Sequence, residues 1–427
     1  MADITHLSIA TQTASGLPIS RAVLAGRWLF LSGLLGGDLD QGLDAAVRGK
    51  AGMPLDGLPR HRREGDFILQ QAARFLEASG SHLGNAVRLD QFYPSAAAVD
   101  PYHHARKAAF GAFIPPSTSV LAEELLIDDA GLEVSMLAVM PGYGMEPRRS
   151  APANVPVPQH SGFAAAALAG DYVFVAGQMA NNEAMSELDK GAYRPTKAIW
   201  NGTDIRLQTE FLITARLIPA LEAAGSSLAN CVKAQVYLTD MHDLPNFMDV
   251  WNRHFTSNPC ALTVVATSGL GFADAIIEIN LLALRDDGAT TKTIIEHKPS
   301  SAMRLGPAAV QAGDLVLLSG LYAADADGLI STAAEARSVR HLGVSARHQM
   351  RSILNAASEI CELAGTSLAN TVRAQHFYDD FKGFYPSQMI WQEMLPGQPV
   401  PLQAVRMPAH HVPGCEVTVD LWAYARG

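Results

Sequence analysis

The sequence contains little of what marks several large classes of protein. Only four of its 427 residues are cysteine: Cys231, Cys260, Cys361 and Cys415. Four cysteines are too few for a disulfide scaffold of this length, and none forms a C-x-x-C pair, which argues against zinc and thiol-redox motifs. The chain also lacks any run of 18 apolar residues, so the sequence predicts no membrane-spanning helix.

Positive charge is scarce as well. Asp and Glu total 42 against 32 Lys and Arg, which gives a formal net charge of −10. Nucleic-acid-binding proteins carry a basic domain or stripe, and anionic lipid attracts a cationic surface, so we expect neither partner. The N-terminus has no basic segment followed by an apolar one. We therefore expect no signal peptide and a soluble, reduced, cytoplasmic protein.

Two sequence blocks occur three times along the chain. The first is an apolar run that ends in a small residue and glycine, at Ser32-Gly33, Ala176-Gly177 and Ser319-Gly320. The second contains L-x-N before a further apolar run, with Asn85, Asn230 and Asn370 as its asparagines. Both blocks recur after about 140 residues, which is far too long for a solenoid unit and long enough for a domain. We interpret the asparagines as turn or cap residues.

The repeat spacing predicts three domains, at residues 1–146, 159–285 and 300–427. Two proline-containing segments separate them, Pro147–Pro158 and Arg285–Pro299, and we interpret these as extended linkers.

Each repeat alternates strand and helix patterns, which the second repeat shows most clearly. A turn at Ala169–Asp171 separates two apolar runs, and an amphipathic pattern ends at Gly225, a favourable residue for the end of a helix. The later predicted elements are a helix near Asp204–Ala224, a strand at Val232–Leu238, a helix near Leu244–Phe255, and strands at Ala261–Ala266 and Ala275–Leu284. This order predicts an α/β or α+β domain.

The two blocks, together with a closing strand that contains I-E-I, resemble the RidA/YjgF family of imine and enamine deaminases. The resemblance recurs three times and covers nearly the whole chain. It implies a chorismate-mutase-like fold for each repeat and an intramolecular pseudo-trimer, with sheets inward, helices outward and ligand sites at the three interfaces. It implies no cofactor and no metal. A small molecule is the expected partner, bound by a monomer or by a dimer of the pseudo-trimer.

The chain departs from the family at the position that binds the substrate carboxylate. The family's deaminases have an arginine there, and a guanidinium suits a carboxylate because it donates two parallel hydrogen bonds. The matching residues are Thr118, Ala261 and Gln403. We retain Thr118 and Gln403 as candidate substrate-binding residues, although a free carboxylate is poorly supported in any of the three clefts.

The resemblance also implies a glutamate that activates water. It matches Glu133 in the first repeat and Glu278 in the second. In the third repeat, motif similarity selects Glu416, whereas counting back from the end of the strand selects Thr418. A carboxylate beside an apolar cleft acquires a raised pKa and can exchange protons with water. An acidic residue on a solvated or interface strand is the alternative interpretation of each.

Three further residues complete the candidate site. Ser32 and Ser319 match the family's serine at a strand end, where they would either line the site or allow close strand packing. Arg194 lies in an insertion of the second repeat, Asn181–Asn201, which we interpret as a lid.

The sequence therefore supports three hypotheses. The first is a hydrolase of C–N bonds, with an imine, an enamine or a related small molecule as substrate at one inter-repeat cleft. The second is a small-molecule-binding or regulatory protein without catalytic activity on the same scaffold. The third is a protein-interaction scaffold, which would expose a large apolar patch.

Overall fold

A computed structural model describes residues 4–10, 16–50, 53, 57–158, 161–200, 202–297, 305–325, 327–336, 342 and 344–426. The ends of the predicted repeats at 1, 159, 300 and 427, together with Asn201 and Pro299, lie outside these ranges. The described residues form a mixed α+β structure with three large sheets.

The described residues form the following strands and helices, in chain order. Up to residue 150 they are β1 (Ile4–Ala10), β2 (Ile19–Ala25), β3 (Trp28–Leu35), β4 (Gly37–Asp38), β5 (Gly42–Leu43), α1 (Ala45–Arg48), α2 (Arg60–Ala78), β6 (Ala86–Tyr93), α3 (Val99–Phe110), β7 (Ser117–Leu121), β8 (Glu124–Leu125), β9 (Glu133–Val139) and β10 (Arg148–Ser150). Up to residue 295 they are β11 (Ala166–Ala169), β12 (Tyr172–Gln178), α4 (Asp204–Leu212), α5 (Ile218–Ala223), β13 (Cys231–Leu238), α6 (Leu244–Phe255), β14 (Ala261–Ala266), β15 (Ile277–Leu284) and β16 (Lys292–Ile295). The remainder are β17 (Ala309–Ala312), β18 (Leu315–Leu318), β19 (Leu321–Tyr322), β20 (Ala324–Asp325), β21 (Gly328–Leu329), α7 (Ser331–Ala336), α8 (Val344–Leu363), β22 (Thr371–Tyr378), α9 (Phe384–Met394), β23 (Leu402–Arg406) and β24 (Val417–Tyr424).

The secondary structure predicted for the second repeat is confirmed with small shifts. A π-helical turn at Ile213–Leu217 joins α4 to α5, so the predicted helix is continuous, and Gly225 follows it with a φ of 70°. The last strand begins at Ile277, two residues later than predicted. The three recurring asparagines each end a single 3-10 turn before a strand, which confirms their interpretation as turn residues.

The three large sheets share one strand order. The first is β1-β2-β3-β9-β6-β7, the second is β10-β11-β12-β15-β13-β14, and the third is β16-β17-β18-β24-β22-β23 followed by β8. In each sheet, the two strands joined by the helix α3, α6 or α9 are parallel: β6 with β7, β13 with β14, and β22 with β23. Both segments predicted as linkers contain an edge strand, since β10 begins the second sheet and β16 begins the third.

Each large sheet has two buried faces, one that packs against helices and one that packs against the other sheets. In the first sheet, the face that contains Leu29 and Leu89 packs with Ile68 of α2 and Ala105 of α3. The opposite faces of all three sheets meet in a shared apolar cluster that includes Trp28, Tyr172 and Trp422. A second shared cluster holds Phe92, Tyr237 and Phe377, one from each sheet. Phe92 makes edge contacts with the other two rings, at centroid distances of 6.2 and 6.1 Å.

A buried polar network also connects the three sheets. Arg88 on β6, Lys233 on β13 and Arg373 on β22 occupy matching strand positions. The Lys233 ammonium lies 2.7 Å from Asp420 on β24, and Arg373 lies 2.7 Å from Asp90 on β6. Each of these two ion pairs therefore joins residues of different sheets.

The sheet edges are joined as well. The short strand β8 follows the first sheet in the chain, yet it pairs with β23 of the third sheet through Leu125 and Val405. A single antiparallel bridge joins Leu121 to Gly269. None of the helices in the described ranges has the length and apolarity needed to cross a bilayer.

Candidate functional site

The strands β9, β15 and β24 hold equivalent places in the three large sheets, and each has one residue paired with an aromatic residue of the neighbouring strand. Glu133 on β9 lies opposite Phe92, and Glu278 on β15 lies opposite Tyr237. In the third sheet, Thr418 holds this position, opposite Phe377. The strand register thus places a carboxylate at two of the three matching positions.

Glu416, the alternative candidate in the third repeat, lies elsewhere. It precedes β24, and its backbone N–H donates to the side chain of Gln349 on α8 at 2.8 Å. Gly131 and Ile276 make the same backbone contact with Glu64 on α2 and Gln208 on α4. The motif similarity that favoured Glu416 was therefore misleading, because it aligned a residue of the preceding loop with a residue of the strand.

Glu278 lines a cavity of about 360 Å³ between the first and second sheets. We call it the 1/2 cavity. Its lining residues come from β7, α3, the start of the second sheet and the loop after β14: Tyr93, Ala96, Val99, Asp100, His103, Ser117, Ser119, Val120, Leu121, Pro158, Ser161, Phe163, Gly177, Met179, Met185, Leu270, Gly271 and Glu278. This volume is in the range of small-molecule sites.

Burial raises the pKa of Glu278 to about 8. Asp90 raises the pKa further, and the nearby backbone N–H of Ser119 opposes the rise. One carboxylate oxygen, Oε2, makes no hydrogen bond with the described residues. A buried carboxyl that is part protonated near neutral pH can give or take a proton, which general acid–base chemistry requires.

The close approach of Glu278 depends on a glycine. A Cβ at Gly177 would lie 1.9 Å from Oε1 of Glu278 and 3.2 Å from the hydroxyl of Thr118. Because no side chain fits there, Gly177 lets the carboxyl reach the first sheet. Thr118 accepts a hydrogen bond from the Asn280 amide at 3.0 Å. Thr118 is thus beside the site, but its hydroxyl faces Asn280 and it does not line the cavity.

The part of the cavity wall that the first sheet contributes contains hydrogen-bonded hydroxyls. Ser119 donates to the Gln91 side-chain oxygen at 2.6 Å, and Tyr93 directs its hydroxyl to the same oxygen at 3.5 Å. Ser117 donates to the Pro115 carbonyl at 3.2 Å and accepts from Arg106 at 2.8 Å. The sequence alone gave no reason to select these residues, because hydroxyl side chains on a strand are also common at protein surfaces.

Arg106 lies behind this wall and is fully buried. Its guanidinium also donates to the Ser161 carbonyl at 3.0 Å, and the Phe163 ring lies 5.9 Å from its centre. Burial lowers the pKa of Arg106. It is not among the residues that line the cavity.

Glu133 has different surroundings at the junction of the first and third sheets. Burial raises its pKa to about 8, while Arg21, Gln403 and the Ala404 N–H favour the charged form. Arg21 donates to the Gly33 carbonyl beside Glu133, so a cation of the chain itself occupies this space. Gln403 accepts from Ser135 at 3.1 Å. Glu133 and Gln403 are therefore neighbours, as a shared site requires.

A larger cavity, of about 890 Å³, lies between the first and third sheets. Phe381, Phe384 and Tyr385 line it, at the positions that Ala96, Val99 and Asp100 hold in the 1/2 cavity. Glu133 is not one of its lining residues. Glu133, which matches Glu278 in strand position, therefore does not contact the cavity between the first and third sheets.

The two serines have packing contacts. Ser319 accepts from the Leu262 N–H at 3.0 Å and donates to the Pro307 carbonyl at 2.6 Å, so its hydroxyl joins the second and third sheets. Ser32 lies beside Arg88 and Arg373 in the interior, away from the 1/2 cavity. These contacts agree with the alternative that small residues there allow close packing.

The predicted lid meets the 1/2 cavity through a residue other than the one selected. Arg194 is exposed and donates to the Ile199 carbonyl at 3.1 Å within its own segment. Asn181 and Leu188 form a bridge that closes a short loop, and Met185 in this loop lines the cavity. The insertion thus borders the site, whereas Arg194 does not.

The raised pKa values of Glu133 and Glu278 predict how stability depends on pH. Both native pKa values lie above the ordinary value of 4.5, so each carboxyl stabilises the fold below about pH 4.5 and loses this contribution as pH rises towards 8. At pH 7 each loss amounts to roughly 3 kcal/mol. Chemical denaturation of the wild type and of the double variant Glu133→Gln/Glu278→Gln, across about pH 5 to 8, should show a steeper decline in the wild type. Parallel curves would contradict the assignment.

Comparison with known proteins gives a consistent set of relatives. The family model described as Endoribonuclease L-PSP matches residues 155–285. A RutC family protein of Pyrococcus horikoshii is 32% identical over 118 residues, which cover 28% of this chain and 82% of that protein. A RutC family protein of Saccharolobus solfataricus is 31% identical over 114 residues, covering 27% of this chain and 79% of that protein.

Solved structures of similar proteins align with about a third of the chain. A putative endoribonuclease of Thermotoga maritima is 27% identical and covers 33% of this chain and 98% of its own, with a TM-score of 0.27. The YjgF gene product of E. coli is 21% identical and covers 32% and 98%, with a TM-score of 0.27.

Proposed function

Because the chain belongs to the RidA/YjgF (RutC, L-PSP) family, we propose that it is a cofactor-free hydrolase of C–N bonds that acts on a small imine or enamine in the 1/2 cavity. The observation that carries this proposal is Glu278, a buried carboxyl with an unpaired oxygen on the wall of a cavity of about 360 Å³. In this proposal the three sheets, with their common strand order, replace the three subunits of a trimer.

The chemistry needs one group that moves protons. With a protonated imine, the ionised Glu278 carboxylate takes a proton from water as the water oxygen bonds to the imine carbon, and the C=N electron pair moves to nitrogen to give a neutral carbinolamine. The protonated Glu278 then gives its proton to the amine nitrogen. The carboxylate next accepts the hydroxyl proton as the C–N bond breaks and the C=O bond forms, and this proton leaves with the ammonia. The products are a carbonyl compound and ammonia, so no oxidant or other reactant is required.

The other two interfaces support a single working cleft. At the first–third interface, Arg21 occupies the space beside Glu133. At the second–third interface, the matching residue is Thr418, which cannot act as a carboxylate base, and Ser319 is committed to hydrogen bonds across the junction. Fusion in one chain permits such divergence, because each interface has its own residues.

Ammonia release by the purified full-length chain tests the proposal. The panel would pair 2-imino acids, generated in situ from amino acids, with imines of the same side chains that lack a carboxylate. We expect release above the uncatalysed rate for at least the second group, since the described residues that line the cavity include no Lys or Arg. No acceleration with any member would reject the hydrolase and favour a binding protein on the same scaffold.

A further inference from the structure

The hydrogen-bonding groups that line the 1/2 cavity restrict the kind of molecule that can bind there. The hydroxyls of Ser117, Ser119 and Ser161 all donate to protein oxygens, on Pro115, Gln91 and Pro158 respectively. What these groups offer to the cavity is therefore lone pairs. A wall of acceptors pairs with a ligand that donates hydrogen bonds and leaves a carboxylate without partners.

The charged residues that line the cavity also favour a neutral or cationic ligand over an anionic one. Asp100 and Glu278 are its acidic residues, of which Glu278 acquires its charge as the pH passes 8, and no Lys or Arg is among the described residues that line it. Burial, followed by Arg106, lowers the pKa of His103 to about 3, so this imidazole is neutral near pH 7. Arg106 itself is directed to Ser117, Gln91 and Ser161, on the far side of the wall.

Much of the remaining surface of the cavity is apolar. Phe163, Met179, Met185, Leu270 and Val120 contribute to it. Methionine side chains adapt to irregular shapes and pack well against rings.

We infer that the 1/2 cavity selects nitrogen compounds that present N–H donors beside an apolar group and carry no carboxylate, such as amines, iminium ions, amidines or amides. This inference rests on the proposed function for the location of the site. It differs in what it claims, because it concerns which molecules bind and not whether they react.

Three probes of nearly the same shape test the selection. Benzamidine is a cationic N–H donor, benzamide a neutral one, and benzoate an anionic acceptor. We expect calorimetric titration of the full chain near pH 9, where Glu278 is ionised, to show benzamidine binding most tightly, then benzamide, then benzoate, with at least about a tenfold difference in dissociation constant between the first and the last. Benzoate binding as tightly as benzamidine would overturn the inference.

Two substitutions locate the binding. Asp100→Lys changes an exposed residue in the first turn of α3, and we expect it to reverse part of the preference, by about fivefold or more in the ratio of the two constants. Glu77→Lys makes the same change of charge on an exposed position of α2 away from the cavity and should leave the ratio unchanged. Equal effects of both would mean that the probes sense overall charge, which would contradict a selective site.

The pH dependence gives an independent readout. Benzamidine keeps its charge over the range of interest, so its binding should strengthen as Glu278 ionises between about pH 6 and pH 9. The groups near Glu278 are Asp90, Tyr237 and the Ser119 N–H, with Asp100 and His103 on the same cavity. Glu278→Gln should flatten this dependence, and a variant with the wild-type slope would contradict the inference. Selective binding without ammonia release would reject the proposed function alone.

Discussion

Glu278→Gln is expected to lower kcat/KM for ammonia release by about 10²- to 10⁴-fold, the usual contribution of a positioned general base. The amide has nearly the shape of the carboxyl but cannot accept a proton from water. The reason for expecting so large an effect is the position of Glu278 on the wall of the 1/2 cavity, with an oxygen free of protein partners. Steady-state assays on the best substrate of the panel would measure it.

The matched control is Glu133→Gln, the same substitution at the same strand position of the first sheet. Because Glu133 does not line the 1/2 cavity, we expect kcat/KM to stay within about twofold of wild type. The wild-type profile should rise with pH, reach half of its maximum near pH 8, where Glu278 is half ionised, and level off above about pH 9. Equal losses in both variants, or a loss only in Glu133→Gln, would place the chemistry elsewhere.

Lys233→Met is expected to destabilise the protein by about 3 to 5 kcal/mol, because removing one member of a buried ion pair leaves the other uncompensated. The Lys233 ammonium contacts Asp420 at 2.7 Å, the Thr263 hydroxyl at 2.9 Å and the Leu318 carbonyl at 2.5 Å. Burial alone would raise the pKa of Asp420, but Lys233 and Arg373 hold it below its usual range. Without the lysine, Arg373, at 3.8 Å, is the one ion-pair partner that the described residues leave to this carboxylate.

A double-mutant cycle separates the ion pair from simple loss of packing. Lys233→Met/Asp420→Leu removes both charges, so we expect it to be less destabilised than the sum of the two single variants by at least about 1 kcal/mol. Urea denaturation monitored by tryptophan fluorescence would give the four free energies of unfolding. Additive losses would show that the two side chains do not depend on each other.

The periodic parts of the fold could be predicted from the sequence, because buried strands and amphipathic helices leave regular patterns. The edge strands β10 and β16 could not, since each is short and largely exposed, and its residues look like a linker. In the third repeat, alternation places residues 416 and 418 on one face of a strand, but the strand begins only at Val417. Sequence periodicity cannot locate the first residue of a strand this closely.

The candidate site was predictable only in part. Glu278 could be selected because the closing strand repeats, and Gly177 was visible as a recurring glycine. The hydroxyl residues of the cavity wall could not be selected from the sequence. The Ser119 proton is directed by Gln91, which is far from it in sequence, and the Ser117 proton by Pro115, whose carbonyl carries no sequence signal. Arg194 was wrongly favoured because positive charge in an insertion does not reveal which residue of the loop faces the cavity.

The pairing of β8 with β23 has a consequence for anyone who would divide the chain. Glu124–Leu125 follows the first sheet, yet its backbone covers the edge of the third, where Arg406 also pairs with Glu124 at 2.7 Å. A fragment that contains only the last repeat would present β23 as a bare edge, open to pairing with other chains. The third sheet therefore depends on a segment that lies far earlier in the chain, and we expect residues 300–427 expressed alone to be prone to aggregation.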